Sequence, residues 1–363
     1  MPVDTPQEAS LSEGFATLHP VADALAALLN GLQPVPPEPV PLAEALGLRV
    51  ADAVASPPLP ATAVALAPGY AVSAADLVGA DAYSPAFVPM PPAIAIDQPL
   101  PSGTDAVLAA DAVQSIGGQA EIVASLAPGT RVRQPGEDWP GDTALIPAEH
   151  RIGPADLLAC QRAGLTHLPI RRPRVVVEQP EASPATALWL TSLAVTWGCR
   201  TSGPADLILR LTRGPNDGTA AASHHGLALA PGESAGVGRH NGTPVVLVPA
   251  RFDGAVAAVV ALVLPVLAQL LAMPLRQERH PVAAKIASAP GVCEVVLLQR
   301  TRGRWQPLMT GDVTLAALMR SDAVALIPPD SEGLAEGSVL AGLSLSQPFA
   351  PMRGDRMPAD AGG

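Results

Sequence analysis

The stretch Thr243-Pro244-Val245-Val246-Leu247-Val248, then Pro249-Ala250-Arg251-Phe252-Asp253-Gly254, then the apolar run Ala255 to Met273, decides how this chain is read. The β-branched run predicts a short buried strand. The polar turn after it leads into a helix that is apolar except for Gln269. Strand, loop and helix make half of an α/β unit, and ligands commonly sit where such a loop leaves its strand. Two other readings compete. The 19 residues from Ala255 to Met273 are about the length that spans a bilayer. Against a span stand Arg251 and Asp253 at its start, Pro265 within it, Arg276 and Arg279 after it, and the lack of a second such run. A plain core helix behind an ordinary loop is the other alternative.

Composition bounds the rest. A chain of 363 residues is long for one core, so two to four domains are expected. The apolar fraction of 48% supports packed cores, and the scarcity of aromatics means Ala, Val and Leu must build them. The 42 prolines are spread along the chain and point to many short strands and turns. The net charge of −11 is uneven: residues 1–150 hold 17 acids against three arginines, and residues 151–363 hold 16 acids against 19 bases. An acidic front half argues against nucleic acid and anionic membrane as partners. An anionic ligand must then be held by the back half. Cys160, Cys199 and Cys293 have neither metal-ligand nor redox spacing, so structural thiols in a reducing compartment are expected. Met1 to Glu13 lacks an apolar signal core, and a cytoplasmic protein is expected.

Taken in order, residues 1–18 read as a disordered leader. A helix is expected over Val21–Leu32 and a shorter one over Pro41–Gly47. Residues 56–147 read as a small β-rich domain, with pieces at Val88–Ile96, Asp105–Leu108, Ala120–Ala124 and Thr143–Ile146 between Pro/Gly turns. Residues 19–55 and 148–172 form a linking helical domain. Residues 173–274 read as an α/β domain with strands at Val175–Val177 and Leu207–Leu209, a helix over Ala185–Trp197, and a polar loop over 212–226. Residues 275–346 return to β, with one helix at Leu315–Arg320, and 347–363 read as a tail. Arg300, Arg302 and Arg304 alternate and are expected on one strand face.

This order of elements resembles the molybdopterin molybdenumtransferases, the MoeA and gephyrin E-domain family, from about His19 to Leu343. Val40 to Gly47 looks like the family's opening helix. Gly69-Tyr70-Ala71-Val72 with Ala75-Asp76 is similar to its DGYAV motif and following acid. Leu100 to Val107, containing Asp105, is similar to its LPxGADAV turn, and Arg133-Gln134-Pro135-Gly136-Glu137-Asp138 to its RxxGED motif. Arg172-Pro173-Arg174-Val175 marks the start of its pterin-binding α/β domain. Pro265 falls where the family's helix has a proline, and Gly333 to Gly337 looks like a landmark of its last domain. The resemblance implies a multi-domain α/β fold: a linking helical region, a small β domain, a truncated MoaB/MogA-like pterin-binding domain and a C-terminal β domain. It implies insertion of molybdate into adenylated molybdopterin with release of the nucleotide, with Mg possible. It also implies a homodimer, and molybdoenzymes or an active homologue as possible protein partners.

Several positions depart from the family pattern. Pro68 stands where the aspartate before Gly-Tyr-Ala would be. Glu178-Gln179-Pro180-Glu181-Ala182 replaces its STGDEL loop. Thr212-Arg213-Gly214-Pro215-Asn216-Asp217-Gly218 replaces a glycine-rich anion loop. Pro231-Gly232-Glu233 reverses the charge of Pro-Gly-Lys, and Pro249-Ala250-Arg251-Phe252 replaces Pro-Gly-Asn-Pro. The α/β domain is short by about a strand and a helix between Trp197 and Asp206. Asp138, Glu137 and Asp217 are the candidate catalytic carboxylates. Arg133, Gly136, Asp105, Arg213, Pro249 and Arg251 are the candidate ligand-binding residues. For Arg133, Glu137 and Asp138 a surface ion pair in a solvated turn is the competing reading; for Arg213 and Arg251 it is two solvent-facing side chains. His224-His225 reads as a loop pair, since adjacent residues diverge and no third metal ligand is spaced for them. An enzyme weak or inactive in molybdate insertion, and a non-catalytic paralogue that binds molybdopterin or a protein partner, are the two functions carried forward.

Overall fold

In the computed structural model, which describes residues 17–214 and 222–349, the run of valines that opens the reading is a strand, Thr243–Pro249. Val245 to Val248 are all buried, as a strand covered on both faces requires. The chain divides into two compact units, Met1–Glu38 with Ile170–Gly363, and Pro39–Pro169.

The first unit holds a five-stranded sheet in the order Val175–Glu178, Leu207–Thr212, Thr243–Pro249, Gly236–His240, Ala222–His225. The first three strands are parallel and the last two antiparallel. Pro184–Thr196 is the crossover helix between the first two strands. No helix or strand lies between Thr196 and Leu207, where the sequence reads as shortened. The expected loop over 212–226 is corrected at its end: Ala222–His225 pairs with Gly236–His240. Its alternation is too short and polar to be read locally, and the sheet edge supplies the pairing.

The helix after Thr243–Pro249 runs from Phe252 to Leu271 in three parts: α-helix to Ala258, a π-helical turn over Val259–Val263, and α-helix from Leu264. Pro265 explains the turn. A proline inside a regular helix lacks its N–H and presses on the carbonyl four residues back. Widening the preceding turn puts Pro265 in the first turn of a fresh α-segment, where no donor is needed. By length and composition this helix could cross a membrane, but it is buried inside the unit, covered by Val246, Val248 and Val295 from two sheets. Ala272, at φ 54°, ends it.

The second sheet of this unit runs Leu229–Ala230, Cys293–Thr301, Ala323–Ile327, Val339–Leu343, Gln277–Pro281, with Arg304–Thr310 also paired to Cys293–Thr301. Its inner face packs around buried Trp305. The three alternating arginines do not share a strand face. Arg300 is the last residue but one of its strand, Arg304 begins the next, and Arg302-Gly303 (φ 50° and 75°) is the two-residue turn between them. Phe349 pairs with Leu275 and stacks edge-on against Trp197, so the described chain is still part of the fold at its end.

The second unit is built from short strands. Gly69–Val72 lies between Ala93–Ile94 and Ala106–Leu108, and Gln119–Ile122 lies between Ala86–Pro89 and Val113–Ile116. Gly69 is required there, because a Cβ would sit 2.0 Å from the Leu108 carbonyl oxygen. The helix Pro154–Arg162 begins with Asp156 accepting from the Gly153 N–H at 2.7 Å. The leader and tail readings fall largely outside the described residues, at 1–16 and 350–363.

Candidate functional site

In the first unit, the parallel strands Leu207–Thr212 and Thr243–Pro249 end side by side, and the loops leaving them border a cleft of about 700 Å³. The loops are fastened to each other. The Ala250 N–H donates to the Thr212 carbonyl at 2.8 Å, and the buried Thr186 hydroxyl donates to the Ala250 carbonyl at 2.8 Å. Both backbone polar groups of Ala250 are therefore engaged within the protein. Gly254 is held to glycine by Pro249, whose Cβ lies 2.8 Å from where a Gly254 Cβ would be.

The cleft's charges come from five segments. Arg251 donates from Nη2 to Asp253 Oδ2. Asp253, buried in the first turn of the long helix, also accepts from the Gly254 N–H at 2.7 Å. Arg213 donates to the carbonyls of Ala182 at 3.1 Å and Glu181 at 2.9 Å. Glu233 Oε2 accepts from the Gly232 N–H at 3.1 Å. Glu294 accepts from the Ala289 N–H at 2.8 Å, and Asp312 lies on the same wall. Two arginines thus face four carboxylates. Of the residues selected from sequence, Arg213, Pro249 and Arg251 meet here; Asp217 lies outside the described residues.

Asp253, Glu294 and Asp312 escaped the sequence reading. Asp253 was visible beside Arg251. Glu294 arrives on a strand of the C-terminal sheet and Asp312 on the bend after another, and no local spacing connects them to the strand ends.

The second candidate group is a turn of the other unit. Arg133 Nη1 pairs with Asp138 Oδ1 at 2.7 Å and stands 4.0 Å from Glu137. Glu137 Oε2 accepts from the Gln134 N–H at 2.8 Å, and Gly136, at φ 75°, donates to the Pro60 carbonyl at 3.0 Å. These carboxylates serve their own turn. Asp105 is engaged elsewhere, accepting from the Ala74 N–H at 2.7 Å.

His224 and His225 lie on a strand rather than in a loop. His224 meets His19 edge-on at 5.1 Å, and burial pulls the His225 pKa below its ordinary value. Among the described residues no three His, Cys, Asp or Glu side chains converge to hold a metal ion. Burial pushes the Cys199 thiol up to about 12.

Comparison with known proteins is consistent with the geometry. Residues 19–164 match the family model of the MoeA N-terminal region, domains I and II. Among solved structures, the molybdopterin biosynthesis MoeA protein of Pyrococcus horikoshii is 20% identical over 91% of this chain and 99% of its own, with a TM-score of 0.65. A molybdopterin biosynthesis MoeA protein of Pyrococcus horikoshii OT3 gives 20% identity over 90% of this chain and 99% of its own, with a TM-score of 0.58. A molybdenum cofactor biosynthesis protein of Pyrococcus furiosus gives 18% over 90% and 99%, with a TM-score of 0.55. No curated protein matches the chain by sequence. The family resemblance and the multi-domain α/β fold read from the sequence both stand.

Proposed function

We propose, from the premise that this is a MoeA-fold chain whose residues 19–164 belong to the MoeA N-terminal family, that it serves molybdenum cofactor biosynthesis while inserting molybdate weakly or not at all. The carrying observation is the occupancy of the cleft's cations. Adenylated molybdopterin and molybdate are both anions, and transfer between them needs preorganised donors aimed at developing negative charge. Here Arg251 is neutralised by Asp253, Arg213 is held by two carbonyls, and the Ala250 N–H is bound to Thr212. Glu233, Glu294 and Asp312 outnumber the one charge of Arg213 on the same cleft. Loss of a single oxyanion donor typically lowers rate by about 10² to 10³.

A second reading rests on the cleft's size. At about 700 Å³ it falls in the usual range of small-molecule sites, so a non-catalytic role binding molybdopterin, or presenting it to a molybdoenzyme or an active homologue, fits the same geometry. A homodimer and cytoplasmic residence accompany both readings.

Complementation tests the proposal. A bacterial strain lacking its molybdate-inserting enzyme would be supplied with this chain and assayed for a molybdoenzyme activity at ordinary molybdate. The proposal expects no recovery above the empty vector; full recovery contradicts it.

A further inference from the structure

One small sheet of the second unit has two edges that differ in kind. Gln119–Ile122 is its middle strand, with Ala86–Pro89 on one side and Val113–Ile116 on the other. In an antiparallel ladder, alternate residues turn their backbone groups toward alternate sides of the strand. The two-residue turn Gly117-Gly118 (φ 58° and 86°) closes its hairpin on the pair Ile116 and Gln119, and Gln114 pairs with Glu121. Val113 and Ser115 therefore turn their N–H and C=O groups away from the sheet. Among the described residues no hydrogen bond meets any of these groups. On the opposite edge Ala86 and Val88 pair with Ile122 and Ala120, so Phe87 and the flanking Pro85 and Pro89 turn outward. The two prolines have no N–H, which closes that edge to further pairing. Val113–Ile116 has no such guard. It carries no proline and no charge, its register is unbroken, and Gln114, Ser115 and Ile116 are all exposed.

We infer that this edge pairs with the same edge of a second copy of the chain, antiparallel about a two-fold axis at Gln114. Val113 of each copy then faces Ser115 of the other, and every outward N–H and C=O on the two strands finds a partner. A register shifted by two residues would pair only Val113 with its own counterpart, or only Ser115 with its own, and would leave the rest unmet. The axis sets Gln114 opposite itself, in the kind of pair whose side chains approach most closely. A primary amide both donates and accepts, so glutamine is complementary to its own copy, where a charged residue would repel it. The charge of the front half, 17 acids against three arginines over residues 1–150, permits the approach. The carboxylate in the same row, Glu121, stands three strand spacings from its counterpart, about 14 Å. That exceeds the screening length of about 8 Å at physiological salt. Asp111, just before the strand, runs toward the glycine turn of the second copy. The inference rests neither on the reading of the cleft nor on a homodimer through another surface, to which this edge would add a further step.

The test uses the full chain. Under mild oxidation Gln114→Cys is expected to form a disulfide-linked pair at least about tenfold faster than Gln119→Cys, whose copies would stand at least about 14 Å apart. The unsubstituted protein, with its three cysteines, sets the background. Sedimentation velocity supplies a second reading: the weight-average mass is expected to double between about 1 µM and about 200 µM protein. Ser115→Pro removes one outward N–H and leaves the hairpin's own bonds in place, so it is expected to move that doubling at least about tenfold higher in concentration. Ser115→Thr is expected to leave it where it was. A homodimer through another surface would survive Ser115→Pro at low concentration, so the two ideas fail separately. Equal cross-linking of the two cysteine variants, no doubling of mass, or a doubling that Ser115→Pro leaves unmoved would each overturn the inference. The cysteine comparison changes only exposed side chains, and thermal midpoints confirm that the proline variant folds.

Discussion

The Arg251 guanidinium rests on the Asp253 carboxylate, with 82% of the arginine side chain exposed and 3% of the aspartate side chain. The cation stands in the cleft while its charge is cancelled from beneath. Asp253 lies in the first turn of the helix that starts at Phe252, where backbone N–H groups and the helix dipole favour a negative group. The place an incoming anion would occupy is already held by the protein's own carboxylate.

Replacing Asp253 with Asn keeps its shape and removes its charge. The acceptor for the Gly254 N–H remains, and the Arg251 pair is lost. Because Arg251 is mostly solvated, the expected loss of stability is only about 1 kcal/mol, read from the urea midpoint. Inorganic phosphate is expected to raise the thermal midpoint of Asp253→Asn and to leave the unsubstituted protein unchanged. Equal responses would show that Asp253 does not govern the cleft's charge.

Gly69 is fixed by the close approach of the Leu108 carbonyl. Gly69→Ala forces the strands Gly69–Val72 and Ala106–Leu108 apart. The expected cost is about 3 kcal/mol, seen in thermal or urea unfolding. A change below about 0.5 kcal/mol would mean that the strands adjust freely.

Burial lowers the folded-state pKa of His225 from its ordinary 6.5. Between the two values the unfolded chain binds the proton and the folded chain does not, so the imidazole's contribution is intact above about 6.5 and is lost as the pH falls through the folded value. Urea midpoints are expected to fall as pH drops below about 6.5, and His225→Gln is expected to flatten that slope. An unchanged slope would place the acid sensitivity elsewhere.

The Cys199 thiol is 4% exposed and, with its pKa pushed up to about 12, is almost wholly protonated at pH 8. Native protein is expected to leave it unmodified by a disulfide reagent over hours, and urea is expected to expose all three thiols. Rapid native modification mapped to Cys199 would contradict the packing around it.

The central strand and the helix after it were legible because a β-branched run and a long apolar run have no other economical burial. The Leu315–Arg320 helix was read to the residue. Gly236–His240 was not, since two glycines in five residues carry no strand signal. Gly236 is demanded by the neighbouring strand, since a Cβ there would lie 2.8 Å from the His224 carbonyl oxygen. The alternating arginines misled because alternation looks the same in a strand and across a two-residue turn. In the cleft, Arg213, Pro249 and Arg251 were legible from the strand-end rule. The carboxylates that oppose them were not, because Glu294 and Asp312 reach the cleft through tertiary packing.

The central claim is that the occupied arginines and surplus carboxylates of the cleft leave little molybdate insertion. It is tested most directly by supplying purified protein with adenylated molybdopterin, molybdate and magnesium and following nucleotide release. The account predicts release at the rate of the protein-free blank. Release well above the blank would contradict it.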